Sequence, residues 1–405
     1  MRDYMKSLYS RYREWKLRTE FENEIKECFR LGEISHKYGD MIVYPTIVRI
    51  GLSDNCLEAV MDLPRGFNPE DLAKKSWVFE QSFGQNIELK RVSASTFVLY
   101  VMSFNPFKET IMYDFEKIYT EIMKYNLPIY VGHTARAGSL SYDMVDQPHL
   151  LIAGETGSGK SVILRSIVTT LLLAKSADDL KVYMFDMKKS EFFYYKRMPH
   201  VKIVTHEKSK VKSCFNEIKK ELGARGDLLE KYEVSHVNEL PKEIRPPFIT
   251  IFIDEFSLID DKMINDMLQQ IAAIGRALGV FVILSTQRPS AKILEGELKV
   301  HLTVRIGGRV QDVTNSRIII DTDGCETLTT SGHMKAKTSK GIIDVKVPLL
   351  EGEHVKAMLE PLKIPKEEIE EKQEEVEAPK KVSTKKVSTR KVRNSKVIDW
   401  RGAFK

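Results

Sequence analysis

The chain has 405 residues, of which 42% are hydrophobic and 30% charged, and 63 basic against 57 acidic side chains leave a formal charge of +6. That length predicts two to three domains with a large core, and so modest a basicity permits nucleic-acid binding without demanding it. Four cysteines, Cys28, Cys56, Cys214 and Cys325, show no C-x-x-C spacing, so neither a disulfide framework nor a zinc site is indicated, and a reducing, cytoplasmic compartment is expected. No run approaches the roughly 18 apolar residues needed to cross a bilayer, and the N-terminus has no signal-peptide character, so a soluble chain, at most peripheral to a membrane through a partner, is expected.

In chain order, residues 4–29 read as a basic, aromatic-rich amphipathic helix. Met5, Leu8, Tyr12 and Trp15 form its stripe, which Phe21, Ile25 and Cys28 continue less regularly. Glu20, Glu22, Glu24 and Glu27 argue for a docking helix over a membrane-surface one. Short β-rich runs follow at 41–44, 46–50, 57–61, 86–89 and 96–101, interrupted by a helix that starts near Asn68 with Pro69 at its first position. The pattern predicts a small α+β domain. Residues 107–125 look helical and lead into an apolar strand at 127–132.

The next segment carries chemistry. The apolar run His149-Leu-Leu-Ile-Ala153 passes directly into Gly154-Glu155-Thr156-Gly157-Ser158-Gly159-Lys160-Ser161 and then a largely apolar helix. A glycine-rich turn at a helix N-terminus aims backbone N–H groups and the helix dipole at one spot, where phosphate binds. Lys160 is placed to reach the β and γ phosphates and the Ser161 hydroxyl suits Mg²⁺. A turn that binds nothing is the bland alternative, disfavoured because every signature position is filled. A second buried strand, Pro247-Phe-Ile-Thr-Ile-Phe-Ile-Asp254-Glu255, ends in two carboxylates. Asp254 is expected to hold Mg²⁺ through its water shell and Glu255 to orient the attacking water, rather than the pair merely capping a helix. A third strand, residues 279–285, ends in Thr286-Gln287-Arg288-Pro289, which sets the Gln287 amide where it can sense a γ-phosphate.

The strings HLLIAGETGSGKS, FITIFIDEF, GRALGVFVILSTQRPS and RIGGRVQDVTNSRIIIDTDGCETL, in this order, resemble the FtsK/SpoIIIE family of ring-shaped DNA translocases, over about residues 127–350. Asp186-Met-Lys188 followed by Met198-Pro199-His200 is similar to that family's Asp-Pro-Lys and Pro-His pair, with Met187 in place of the proline. Glu221-Leu-Gly-Ala-Arg225 is similar to a further family segment. The resemblance implies an α/β fold: a RecA-like P-loop motor domain with a mostly parallel sheet (106–365), preceded by an N-terminal helix (1–35) and a small α+β accessory domain (36–105). It implies ATP and Mg²⁺ at the site and places Arg276 at the arginine finger that reaches a neighbouring subunit's ATP. A helix C-terminal cation beside Gly279 is the plainer reading of Arg276, and Arg305 and Arg309 are rivals for the finger.

Residues 366–405, an acidic block with seven glutamates before a basic Lys-Lys-Val-Ser-Thr repeat, read as a charged, disordered tail that could add non-specific phosphate contacts. It is too short and polar for the orienting module of longer family members. Lys188, Lys189, Lys196 and Arg197 flank the aromatic cluster Phe192-Phe-Tyr-Tyr195, and with Arg225 and Lys292 they are candidate DNA contacts or subunit-interface residues. The functional expectation is an ATP-driven DNA translocase, acting as a homo-oligomer, by resemblance a hexameric ring, on DNA with duplex favoured. Its setting is conjugative transfer with a relaxase and membrane channel proteins as partners. A chromosome or plasmid segregation motor, an ATP-dependent DNA-binding switch that does not translocate, and a small-molecule phosphotransferase are the alternatives. The acid pair and the Thr-Gln-Arg-Pro turn weigh against the last.

Overall fold

The computed structural model describes residues 2–53, 56–84, 86–102, 107–135, 138–259, 261–287 and 297–365. The side chains of Met5, Leu8 and Tyr12, together with Arg288, Pro289, Lys292 and the tail from 366 onward, lie outside the described residues. Two compact units share the chain, one made of residues 1–109 with 134–138 and the other of residues 110–133 with 139–405.

The first unit begins with the helix α1 (Arg2–Leu31) and a small antiparallel hairpin of β1 (His36–Tyr38) and β2 (Met41–Val43). Strands β3 (Thr46–Ser53), β4 (Cys56–Asp62), β5 (Ile87–Arg91) and β6 (Thr96–Met102) form an antiparallel sheet in the order β3-β4-β6-β5. Successive residues of a strand point to opposite faces, and the pairs Ala59↔Leu99 and Met61↔Phe97 put one apolar face of β4 and β6 in register. Against this core pack Leu72 of α2 (Pro69–Lys74) and Val78 and Phe79 of α3 (Ser76–Phe83). The Asn68 side chain caps α2 by accepting from Glu70 N at 3.1 Å, with Pro69 in the first turn where its missing N–H costs nothing. Phe21, Ile25, Cys28 and Phe29 of α1 are buried in the same core, and Phe21 and Phe29 meet Phe83 and Phe79 edge-on. Trp15 is 61% exposed, and the side chains of α1 seen to dock among the described residues lie in the second half of the helix.

The second unit is built on ten strands: β7 (Pro128–Thr134), β8 (Ser139–Asp143), β9 (Leu150–Ala153), β10 (Leu180–Asp186), β11 (Val201–Thr205), β12 (Phe248–Asp254), β13 (Val280–Thr286), β14 (Val304–Gly307), β15 (His333–Thr338) and β16 (Gly341–Lys346). Their order is β11-β10-β12-β13-β9-β14-β15-β16-β7-β8. The first six run parallel, and β15 with β16 and β7 with β8 add antiparallel pairs, so the sheet is mostly parallel in the half that carries the motifs. Parallel strands need crossover helices, which cover both faces and make the strands apolar throughout. Ile249, Ile251 and Ile253 of β12 and Val280, Val282 and Leu284 of β13 belong to one core, while Phe252, Phe281 and Ile283 turn to the other. Helices α6 (Lys208–Tyr232) and α7 (Lys262–Leu278) supply the first core, and α5 (Lys160–Ala174) the second.

The helix expected over 107–125 is shorter. α4 spans Phe115–Ile122, because the Asp114 side chain caps Lys117 N and, just before it, Met112 bridges Leu349 in parallel. Arg225, expected as a DNA contact, lies inside α6 and is 2% exposed, so it is no DNA contact. Its guanidinium donates to the carbonyls of Pro247 (2.6 Å), Leu278 (2.7 Å) and Gly279 (3.4 Å), and its Nε to Glu221 at 3.1 Å. It thereby ties the start of β12 to the C-terminus of α7. Within the aromatic cluster, Phe192 and Tyr195 are buried core residues unable to stack on bases, and Arg197 is engaged by Glu360 and the Ile364 carbonyl.

Two stability predictions follow from these buried groups. Arg225→Met takes the guanidinium donor from the Pro247 and Leu278 carbonyls, while Gly279 O keeps Ile249 N at 2.9 Å, and should cost about 3 kcal/mol, read as a lowered urea midpoint with an unchanged slope. His149, at φ 62 just before β9, is fully buried, and its Nδ1 accepts from Val282 N at 3.1 Å, extending the ladder by one side chain. Burial lowers its pKa from 6.5 to about 4. The unfolded chain therefore takes up a proton that the folded chain refuses, and stability falls as pH drops from 6.5 towards 4, by up to about 3 kcal/mol. His149→Asn, which keeps an acceptor and tolerates a positive φ, should flatten that part of the melting-temperature profile. Parallel profiles would refute the assignment.

Candidate nucleotide site

Parallel register brings the ends of five strands to one edge. Asp186 lies opposite Asp254 across β10 and β12, and Thr286 and Gly307 lie opposite Ala153 from either side of β9. The phosphate loop leaves β9 at this edge. Gly154 N donates to the Thr286 carbonyl at 3.2 Å and Glu155 N to the Arg309 carbonyl at 2.9 Å. Gly159 closes the loop at φ 102, and a Cβ there would come 2.9 Å from Gly332, so both its backbone angle and its neighbour require glycine. Gly332 N in turn donates to the Ser158 carbonyl at 2.9 Å, and Gly332 O accepts from Val347 N at 2.8 Å, which clasps the loop to the antiparallel part of the sheet.

Lys160 opens α5 and is only 5% exposed. Its Nζ donates to Asp254 Oδ1 at 2.9 Å and to Ser285 Oγ at 3.4 Å, and Ser285 Oγ also donates to Asp254 Oδ1 at 2.5 Å. Asp254, at 1% exposure, is thus neutralised by the lysine of the phosphate loop. Glu255 follows with a left-handed backbone, φ 53, which turns its carboxylate back across the ends of β12 and β13. There Oε1 accepts from Ser257 Oγ (2.7 Å), Thr286 Oγ1 (2.8 Å) and Gln287 N (3.0 Å), and Oε2 accepts from Lys188 Nζ (2.7 Å) and, more loosely, Gln287 N (3.2 Å). Burial pushes this carboxyl up, but the hydrogen bonds from Lys188, Ser257, Thr286 and Gln287 outweigh it and hold the pKa at about 2. The Gln287 side chain meets the phosphate loop through Thr156 Oγ1, at 3.5 Å from its Oε1.

The arginines separate by position. Arg276 is exposed in the last turn of α7, its Nε on the Val145 carbonyl at 3.1 Å. It precedes β13, whose first residues pair with Ile249, and Ile249 lies ~17 Å along β12 from Asp254 at ~3.3 Å per residue. Arg276 is therefore at the edge of the sheet opposite its own phosphate loop. Arg305 is buried on β14 and pairs with Asp321, which Lys299 and Lys337 also engage. Arg309 stands beside its own phosphate loop, paired with Glu155.

Sequence reading gave Asp186 and Lys188 no part in the nucleotide site and did not single out Glu191. Asp186 accepts from the N–H groups of Ser190, Glu191 and Phe192 at 3.0–3.1 Å, and so shapes the loop after β10 that has Met187 where the family pattern has proline. That loop presents Lys188 to Glu255 and Glu191 to the Ser161 hydroxyl. Glu191 Oε2 is buried with no hydrogen-bond partner, Arg165 Nη1 lying 3.7 Å from it, and the Ser158 hydroxyl is likewise buried without one. Burial raises the pKa of Glu191. A hydroxyl beside Glu191, with Asp254 near enough to act on that carboxyl, and polar atoms left unpaired fit a hard cation that keeps several waters, as Mg²⁺ does.

Residues 112–259 match the family model described as the FtsK/SpoIIIE family. The DNA translocase FtsK of Borreliella burgdorferi is 31% identical over 226 residues, covering 52% of this chain and 28% of that protein. The DNA translocase FtsK of Helicobacter pylori (strain J99) is 32% identical over 238 residues, 56% of this chain and 28% of that protein. The chain thus spans 28% of the length of these curated relatives. Among solved structures, the pCW3 conjugation coupling protein TcpA shares the fold over 82% of this chain and 95% of its own, with a TM-score of 0.57 and 23% identity. The cytoplasmic domain of the type VII secretion ATPase EccC of Thermomonospora curvata matches 56% of this chain and 29% of its own, with a TM-score of 0.52 and 25% identity. No helix among the described residues is long and apolar enough to cross a membrane. With its phosphate loop and its acid-tipped strand on one mostly parallel sheet, the chain carries a P-loop ATPase domain, of which residues 112–259 match the FtsK/SpoIIIE family model.

Proposed function

We propose that the chain is an ATP-driven DNA translocase that works as a ring of identical subunits, six by family resemblance. The observation that carries this reading is the convergence of Lys160, Asp254, Glu255 and Gln287 on the sheet edge where the phosphate loop begins α5. ATP and Mg²⁺ fit there: Gly154 to Ser161 would hold the phosphates, Ser161 and Asp254 the cation, with Glu191 beside them. The bound cation supplies positive charge against the phosphate oxygens as charge shifts to the leaving group. Lys160, released from Asp254, reaches the β and γ phosphates. Glu255 orients the attacking water, and its bond to Gln287 N couples the state of the γ-phosphate to the segment that follows β13. Arg276 cannot serve its own site and reaches the nucleotide of a neighbouring subunit, which makes the ring necessary for turnover. Differential affinity of the open and closed states for ATP and its products moves DNA-bound loops.

The fold shared with TcpA over nearly all of that conjugation coupling protein favours conjugative DNA transfer as the setting, with a relaxase and membrane channel proteins as the partners that anchor it. Chromosome or plasmid segregation is the other setting for the same motor.

ATP hydrolysis measured alone, with long duplex DNA and with single-stranded DNA at fixed low salt tests the reading. Strong stimulation by duplex, with displacement of a triplex-forming strand, is expected. DNA binding with no displacement would replace the motor by a switch. Lys160→Ala should remove nucleotide binding or turnover, whereas Glu255→Gln should bind ATP, lose about 10²–10³-fold in turnover and remain trapped on DNA. Arg276→Ala should lower kcat with little change in ATP affinity. Mixing it with Lys160→Ala subunits should restore part of the activity, and no recovery in mixed rings would place the finger elsewhere.

A further inference from the structure

Both carboxylate oxygens of Glu255 are already engaged. Oε1 is taken by two hydroxyls and a backbone N–H, and Oε2 chiefly by Lys188. The partners differ in kind: Ser257, Thr286 and Gln287 are neutral donors that fix the orientation of the carboxylate, whereas Lys188 is a cation 2.7 Å from the one oxygen that is otherwise weakly held. They also differ in accessibility. Glu255 is 3% exposed at its side chain and Lys188 is 34% exposed, so the lysine is the member able to leave. Its loop is fixed at the root by the three N–H bonds to Asp186, and it carries a second exposed lysine, Lys189, in a left-handed turn at φ 59. Lys196 adds a further exposed cation after the short helix Phe193–Tyr195.

We propose that Lys188 is a positioning residue for Glu255, holding Oε2 away from water until a phosphodiester of bound DNA draws the ammonium off and frees that oxygen. The inference rests on the DNA-motor reading above. Loss of a single hydrogen-bonded cation changes the carboxylate without moving its backbone or its three neutral donors. The polyanionic backbone of DNA competes well for an exposed lysine at low salt, and less well as salt rises. No contact of Lys188 with ATP is required, and the restraint acts on turnover more than on nucleotide affinity.

The test compares wild type, Lys188→Met and Lys188→Arg for kcat and KM of ATP, each with and without long duplex DNA, beside thermal melts. Lys188→Met should raise the DNA-free kcat roughly ten-fold, leave KM within about two-fold, and largely lose further stimulation by DNA. Lys188→Arg, which keeps a cation at the same reach, should retain a low DNA-free rate and its stimulation. The double variant Lys188→Met/Glu255→Gln should be as slow as Glu255→Gln, showing that the gain runs through Glu255. A folded Lys188→Met protein with a DNA-free kcat at or below wild type overturns the proposal, as does a gain that survives in the double variant. If Lys188→Met is fast while wild type responds to no DNA, the restraint stands and the DNA-motor reading is what fails.

Discussion

Two ions sealed at one sheet edge, Lys160 and Asp254, set the terms for everything around them. Neither is tolerable alone in so dry a place, and each is the reason the other can be buried. Their pairing requires that β9 and β12 end at the same level, although the two strands are separated by β13. The strict parallel register of the three strands meets that need. Ser285, at the end of the strand between them, donates to Asp254 and accepts from Lys160. A shift of one residue in β13 would exchange its two faces, and with them Ser285 and Thr286, which serve Asp254 and Glu255 respectively. The two-sided apolar character of these strands is therefore more than a packing requirement. It fixes the height at which the polar residues emerge.

The charge arrangement also explains why two adjacent acids behave differently. Asp254 continues the extended strand and faces the phosphate loop. Glu255 breaks into a left-handed turn and faces back over β13, where neutral donors and Lys188 surround it. Adjacent carboxylates on an extended strand point to opposite faces of the sheet; the turn at Glu255 keeps both at its edge. A left-handed glutamate is a costly conformation for a residue with a side chain, and the four donors that hold it show what offsets that cost.

Much of the mostly parallel sheet was legible in the sequence, because long apolar runs bounded by glycine or acid are local patterns. The phosphate loop and the strand ending in Asp254 were readable for the same reason. Contacts between distant segments were not. Lys188 and Glu255 are 67 positions apart, and only the pairing of β10 with β12 makes them neighbours. Glu191 belongs to no motif, and only the loop built on Asp186 turns it towards Ser161. Arg225 reads in the sequence as a candidate DNA contact, and nothing local announces the strand- and helix-end carbonyls that its guanidinium meets. In the N-terminal helix the less regular continuation Phe21, Ile25 and Cys28 docks as expected, joined by Phe29, whose edge contact with Phe79 no periodicity announces.

The clasp at Gly332 gives the phosphate loop an unusual mechanical position. A loop anchored only to its own strand and helix would absorb a displacement locally. This one is also hydrogen-bonded through Ser158 to the turn that starts β15, and that turn is bonded onward to the end of β16. Strain generated where phosphate sits thus has a route made of backbone alone, independent of any side chain, into a hairpin on the other half of the sheet. Side-chain substitutions around the nucleotide would leave that route intact, so the chemistry of the site and the mechanical coupling of its loop are separable properties of this fold.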